Sequence, residues 1–187
     1  MKTLMLTIIL LLTVNVNAQN TLIPDTNFEQ RLINLGYDSL LDGSVLTANI
    51  SRISSLNLDF SKISDLTGIE GFTALTLLGC RGNQLTTLDL SKNINLKKLW
   101  CQNNRLTSID ISQNRELIGL DCRNNQLTSL DLSNNIALAN LYCSGNKLTF
   151  LDVSKNVLLT SLICGNNPLT CVDVLENCVI KGATRCW

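Results

Sequence analysis

Five cysteines recur at a strict interval of 21 residues, and this period constrains the fold more than any other feature of the chain. They are Cys80, Cys101, Cys122, Cys143 and Cys164. Asparagine and leucine keep the same period, three and five residues after each cysteine, as in Asn104 and Leu106. A fixed period of about 20 to 50 residues is typical of solenoids, in which each repeat forms one coil stacked on the next. The sequence therefore predicts a stack of similar coils.

The apolar residues within one period have a specific spacing. The unit from Leu96 to Glu116 reads LKKLWCQNNRLTSIDISQNRE. Its first half fits LxxLxLxxNxL with cysteine in the third apolar position, and its second half fits LxxLxLxxN again, so ten and eleven residues form a nested pair. This pattern resembles the leucine-rich repeat family, and the nested form is similar to short repeats in secreted bacterial proteins of the Bacteroidetes type. The resemblance extends from about Ile53 to Ile180.

The resemblance implies a leucine-rich repeat solenoid of parallel β strands stacked in coils. Because both halves of the unit carry an LxL strand motif, we expect sheets on two faces with little or no helix between them. A short N-terminal capping helix would cover the apolar end of the first coil. Leucine-rich repeats usually bind protein ligands on the sheet lined by the LxxLxL segment.

The first residues have the organisation of a secretory signal peptide, which we assign to residues 1–18. Lys2 supplies the charge, an apolar run follows, and Val16-Asn17-Ala18 form a small-residue cleavage site before Gln19. The alternative is a membrane anchor, which needs roughly 20 consecutive apolar residues, but Asn15 interrupts this run. We therefore expect a secreted or cell-surface protein without membrane insertion after cleavage.

The mature chain divides into an N-terminal cap over residues 19–52, leucine-rich repeats over 53–180 and a C-terminal tail over 181–187. Within the cap, Thr26 and Glu29 have the spacing of a capping box that begins a helix. Phe28 and Leu32 would form the apolar side of this helix, and Gly36 would end it.

Composition excludes several classes of function. The chain contains no histidine, so it has neither a Ser-His-Asp triad nor a histidine-based zinc protease motif. Lys plus Arg and Asp plus Glu are 15 each, which leaves no basic field for nucleic acid. The remaining carboxylates lie in a regular row and not in a differentiated acid–base pair. We therefore predict no enzymatic activity, no cofactor and no nucleic-acid partner.

The cysteine row raises the question of a metal or redox site. Buried cysteine packs as a small apolar residue, whereas zinc needs four ligands that converge tetrahedrally. Side chains in register also point the same way, which opposes a disulfide between coils. We therefore expect a structural, reduced ladder without metal. Three further cysteines leave the repeat phase, and one disulfide closing the C-terminal end is predicted among Cys171, Cys178 and Cys186.

A row of aspartates also follows the period and should face outward. It comprises Asp89, Asp110, Asp131, Asp152 and Asp173. Carboxylates on neighbouring coils could share calcium ions, but calcium prefers six to eight oxygens. The favoured alternative is that each aspartate accepts hydrogen bonds within its own turn, where serine follows two residues later. An adjacent threonine row is too narrow to predict binding of ice or glycan.

Variable residues occupy the outward positions of the first half of each unit. Aromatic residues and arginine, which are enriched in binding hot spots, gather there. We predict a ligand-binding face formed by Arg81, Lys98, Trp100, Gln102, Asp121, Arg123, Tyr142 and Ile163. The expected partner is a protein, with a glycan or another surface component as alternatives. The competing hypothesis is a structural or adhesive cell-surface spacer without a specific ligand.

Overall fold

A computed structural model of the chain describes residues 19–173, with only the backbone described at residues 171–173. The cap contains β1 (Asn20–Leu22), α1 (Thr26–Asn34), β2 (Ser44–Leu46) and α2 (Thr47–Ile50). The coils contain short strands and one 3₁₀ turn (Ile69–Gly71). The strands are β3 (Ser55–Asn57), β4 (Leu77–Gly79), β5 (Lys98–Trp100), β6 (Gly119–Asp121), β7 (Asn140–Tyr142), β8 (Phe150–Asp152), β9 (Ser161–Ile163) and β10 (Cys171–Asp173). The predicted signal peptide and C-terminal tail lie outside the described residues.

One six-stranded parallel sheet runs along the solenoid in the order β3-β4-β5-β6-β7-β9. Equivalent residues of successive coils pair in register, so Leu99 lies opposite Leu120 and Trp100 opposite Asp121. This pairing confirms the predicted leucine-rich repeat fold of parallel strands stacked in coils. We call the outward side of this sheet the strand face.

The opposite side of the solenoid, which we call the turn face, contains the second half of each unit. Within residues 19–173 its strand pairing consists of an isolated bridge between Asp89 and Asp110 and the parallel pair of β8 and β10. A sheet is therefore present on each side, as the nested motif predicts. The sheet on the turn face is much shorter.

Leucine and cysteine fill the interior of the coils. Leu99 and Cys101 are completely buried, whereas Trp100 between them is exposed, as strand alternation requires. The cap continues this core, because Phe28 of α1 stacks on Phe72 with ring centroids 6.3 Å apart. None of the helices in residues 19–173 has the length and apolar composition that crossing a bilayer would require.

The helix α1 is present, but the predicted capping box is wrong. Asp25, one residue earlier than expected, is the N-cap, and its Oδ1 accepts hydrogen bonds from the N–H groups of Asn27 (2.9 Å) and Phe28 (3.0 Å). Buried Glu29 instead accepts three N–H bonds from residues 42–44. The loop after the helix offers these N–H groups, and a buried carboxylate needs such partners. The predicted end at Gly36 is confirmed, since its φ is +78°.

Asp25 also ties the cap to the first coil. Its Oδ2 accepts hydrogen bonds from the backbone N–H and the hydroxyl of Ser64, both at 2.8 Å, and from the N–H of Asp65. Burial alone would raise the pKa of Asp25, but the hydrogen bonds from Ser64, Phe28 and Asp65 together lower it. One carboxylate therefore caps α1 and joins that helix to the repeats.

Candidate binding faces

Trp100 lies at the centre of the strand face, on the third of its six strands. The residue is 39% exposed. The residue paired with it on one side, Gly79, has no side chain, and the Asp59 carboxylate covers this glycine. On the other side Trp100 pairs with Asp121. A large aromatic residue therefore stays accessible in a row where its neighbours leave room.

Asp121 is less accessible than the predicted binding face assumed, because it is only 5% exposed. Arg123 covers it with a bidentate ion pair, in which Nε lies 2.9 Å from Oδ1 and Nη2 lies 2.6 Å from Oδ2. The same guanidinium lies over the ring of Tyr142, 5.4 Å from its centroid. The hydrogen bonds that Arg123 donates to Asp121 raise the pKa of Arg123. Asp121 thus holds Arg123 in place and is not itself an exposed contact.

A second cluster of the same kind occurs two coils earlier. Arg81 forms an ion pair with Asp59, in which Nε lies 2.9 Å from Oδ2, and its guanidinium lies 5.1 Å from the ring centroid of Phe60. Phe60 has a φ of +53°, which is uncommon for a residue other than glycine. Sequence reasoning found Arg81 but missed Asp59 and Phe60. Because the first coil is one residue longer than the others, the 21-residue period does not align Asp59 and Phe60 with the equivalent residues of later coils.

The other predicted members of the binding face differ in exposure. Lys98 is exposed at the start of β5, and Gln102 is half-buried beyond its end. Ile163 is half-buried on β9, the last strand of the sheet. The structure therefore brings Arg81, Lys98, Trp100 and Arg123 together on consecutive coils, with Tyr142 and Ile163 extending the surface.

The cysteine ladder lies in the core. All five residues, Cys80, Cys101, Cys122, Cys143 and Cys164, are at most 5% exposed. Burial raises the pKa of the Cys80, Cys101 and Cys122 thiols, so these three remain protonated and unreactive. Within residues 19–173 no three cysteine, histidine or acidic side chains converge as metal ligands. The Cys171 side chain and all of Cys178 and Cys186 lie outside the described residues, so the terminal disulfide stays a prediction.

Two asparagine ladders support the backbone, one in each half of the unit. In the first, Asn125 accepts a hydrogen bond from the N–H of Leu106 (3.0 Å) and donates to the carbonyls of Cys101 and Cys122. In the second, Asn135 donates to the carbonyls of Ile111 and Asn114, while its buried Oδ1 has no partner in the described part of the chain. Asparagine is thus structural in both ladders.

The aspartate row serves the turns that contain it. Oδ1 of Asp89, Asp110 and Asp131 accepts the N–H of the serine two residues later at 2.9 Å, and Asp152 does so at 2.8 Å. These bonds lower the pKa of each of the four carboxyl groups. The favoured prediction for these four residues is therefore confirmed. Asp173 lies on β10, where side chains are not described.

Two grooves on the turn face were not predicted. One, of about 810 Å³, lies beside the cap and is lined in part by Asp65, Glu70 and Asp89. The other, of about 370 Å³, is lined by residues from Thr128 to Asn156, including Phe150 and Lys155. Phe150 is 52% exposed at a phase where the preceding coils have Thr87, Ser108 and Ser129. That break in the repeat is the sequence signal that could have identified the second groove.

The parallel coils, asparagine ladders and buried cysteine ladder define a leucine-rich repeat solenoid. The chain is similar to Internalin J of Listeria monocytogenes serotype 4b (strain F2365), with 40% identity over 74 residues. This match covers 40% of this chain and 8% of that protein. The solved functional domain of InlJ from Listeria monocytogenes, described as including a cysteine ladder, has a TM-score of 0.78 and 39% identity to this chain. This structural match covers 84% of this chain and 36% of the InlJ chain.

Other solved structures have the same fold at lower similarity. The LRIM1/APL1C complex gives a TM-score of 0.63 and 25% identity over 68% of this chain and 25% of that one. A leucine-rich repeat protein of Leptospira interrogans gives 0.58 and 24% identity over 67% of this chain and 34% of that one. No family model matches the chain. The assignment to the Bacteroidetes-type group stays a prediction.

Proposed function

We propose that this protein is a secreted, non-catalytic binding module that recognises a protein partner through the strand face centred on Trp100. The observation that carries the proposal is the exposed Trp100 ring between two arginines, Arg81 and Arg123, each held by its own aspartate. Aromatic residues and arginine supply most of the binding energy in many protein interfaces. Side chains already fixed in the free protein lose little entropy on binding, which favours affinity.

Charge adds a preference for the partner. Asp59 and Asp121 are each paired with an arginine, and Lys98 adds an exposed positive charge between the two clusters. The strand face therefore presents cations and an aromatic ring at its surface. A partner segment with carboxylates beside an apolar side chain complements this arrangement. The LRIM1/APL1C complex, a leucine-rich repeat structure similar to this chain, is itself a protein–protein assembly.

The first experiment identifies a partner and then compares the two faces. The mature chain, beginning at Gln19, is used to capture partners from extracellular extracts, and the affinity of each captured protein is measured by calorimetry. We expect Trp100→Ala to weaken binding by about thirtyfold, which corresponds to roughly 2 kcal/mol. Tyr142→Ala should weaken it less, because Tyr142 acts partly by supporting Arg123. Thr107→Ala and Thr128→Ala on the turn face are matched controls and should leave the affinity unchanged.

The outcome separates this function from a spacer. Loss of affinity in the threonine variants, with none in the aromatic variants, would mean that the partner binds the turn face. Unchanged affinity in all four variants would favour a structural or adhesive spacer. Secretion is tested separately by N-terminal sequencing of the exported protein, which should begin at Gln19.

A further inference from the structure

We propose that the groove beside Phe150 on the turn face is a binding site for a neutral pyranose sugar ring. This site is independent of the strand face and of the protein partner proposed above. Its main lining residues are Thr128, Ser129, Asp131, Phe150, Asp152 and Lys155. Its volume of about 370 Å³ lies near the lower end of the range of small-molecule pockets, which suits one sugar ring.

Phe150 supplies the apolar side of the proposed site. It is the first residue of β8 and is 52% exposed, whereas the preceding coils carry threonine or serine at this phase. An exposed phenylalanine gains little for folding, because its apolar area stays in contact with water. The face of an aromatic ring is electronegative and attracts the polarised C–H groups on one side of a pyranose. A phenylalanine at this position is therefore better suited to contact a ligand than to stabilise the stacking of the coils.

The polar groups around Phe150 match the hydroxyl groups of a sugar. Asp131 and Asp152 lie on neighbouring coils, and each uses Oδ1 to accept an N–H from its own turn. A carboxylate has about four acceptor positions, so each retains capacity for a sugar hydroxyl. Hydrogen bonds from Ser133 and Ser154 lower the pKa of the two carboxyl groups, and the charge of Lys155 lowers it further. Lys155 also lines the groove and adds a hydrogen-bond donor to it.

The balance of charges favours a neutral ligand over an acidic sugar. Two carboxylates and one ammonium give the groove a net charge of −1, from Asp131, Asp152 and Lys155. A sugar carboxylate would be repelled by this excess negative charge. A divalent cation is also disfavoured, because Lys155 adds a positive charge to the groove and calcium prefers six to eight oxygen ligands. Neutral hydroxyl groups can use the acceptors and the donor together.

The experiment titrates the mature chain with methyl β-D-glucopyranoside, methyl β-D-galactopyranoside and methyl α-D-mannopyranoside, followed by NMR of the phenylalanine ring signals. Methyl β-D-glucuronide is the charged comparison. We expect at least one neutral glycoside to shift the Phe150 signals with millimolar affinity, because a single small ligand buries little area. The glucuronide should bind more weakly. A concentration of about 100 mM would reveal even very weak binding. If none of the neutral glycosides shifts the Phe150 signals up to that concentration, the site is refuted.

Variants test whether Phe150 makes the contact. Phe150→Ser restores the residue type of Ser129 and should weaken glycoside binding at least tenfold, or about 1.4 kcal/mol. Phe150→Trp should preserve binding, since it keeps an aromatic face. Ile136→Ser removes a similarly exposed apolar residue (59%) outside the groove and should have no effect. Binding that survives Phe150→Ser, or a glucuronide that binds more tightly than the neutral glycosides, would overturn the proposal.

Discussion

The two halves of each 21-residue unit share one sequence motif but bond their backbones differently. In the strand half, the N–H groups of Cys101 and Asn103 donate to the carbonyls of the next coil, at Asp121 and Arg123. In the turn half, the N–H of Ser112 donates to the Asp110 side chain within the same coil. The strand half thus joins its coils through a long sheet, whereas the strand pairing of the turn half is much shorter.

The asparagine ladders show the same difference. In the strand half, the side-chain oxygen of Asn125 is the acceptor for the Leu106 N–H. In the turn half, Asn135 donates to two carbonyls that already have backbone partners. The Ile111 carbonyl accepts the N–H of Asn114, and the Asn114 carbonyl accepts the N–H of Leu117. The first ladder is thus the more important one for satisfying buried donors.

The largest expected effect tests this difference directly. Asn125→Ala leaves the buried Leu106 N–H without its acceptor, whereas Asn135→Ala leaves no backbone donor unpaired. The free energy of unfolding should therefore fall by about 1 to 3 kcal/mol more in Asn125→Ala than in Asn135→Ala. Urea unfolding followed by circular dichroism measures both. Equal losses in the two variants would show that the ladders contribute alike.

The next effect concerns the third apolar position, which is cysteine in the strand half and aliphatic in the turn half, as at Leu132. Cys122→Ser should cost roughly 1 to 3 kcal/mol, because its hydroxyl would be buried among apolar neighbours. Cys122→Val should be tolerated better, since valine keeps the position apolar. A thiol reagent should label Cys122 only after unfolding, because burial keeps its pKa raised. Rapid labelling of the native protein would contradict the inward position.

The aspartates of the turn half predict a smaller, pH-dependent effect. Hydrogen bonds from serine lower the pKa of Asp110 and Asp131 below that in the unfolded chain, about 3.9. The stability they provide is present above that value and is lost as the pH falls through the lower folded pKa. The double variant Asp110→Asn and Asp131→Asn keeps the turn acceptor but does not titrate. Its midpoint of thermal unfolding should therefore fall less between pH 5 and pH 3 than that of the unchanged chain.

The smallest expected effect is the response to calcium. Because these carboxylates serve their own turns, millimolar calcium should leave the melting temperature nearly unchanged. A rise of several degrees that disappears in the same double variant would instead identify the row as a cation site.

The periodic sequence predicted the stacked coils and the buried cysteine row, and the apolar spacing before Gly36 predicted the capping helix. Repetition at 21 residues places identical side chains on top of one another, and the LxL spacing decides which of them face the core. The outward position of Trp100 and the turn bonds of the aspartates follow from the same periodicity. The sequence also located Arg81 and Arg123 on one face.

Only the tertiary structure decided which polar groups meet and which half of the coil becomes a long sheet. Asp121 lies in the exposed phase of the strand yet is buried, because Arg123 and its neighbours cover it. Glu29 has the spacing of a capping box but binds the N–H groups of a loop more than ten residues away. The groove at Phe150 joins side chains of two coils. Periodicity gives the direction of each side chain, but bonds between coils depend on distances that only the folded chain sets.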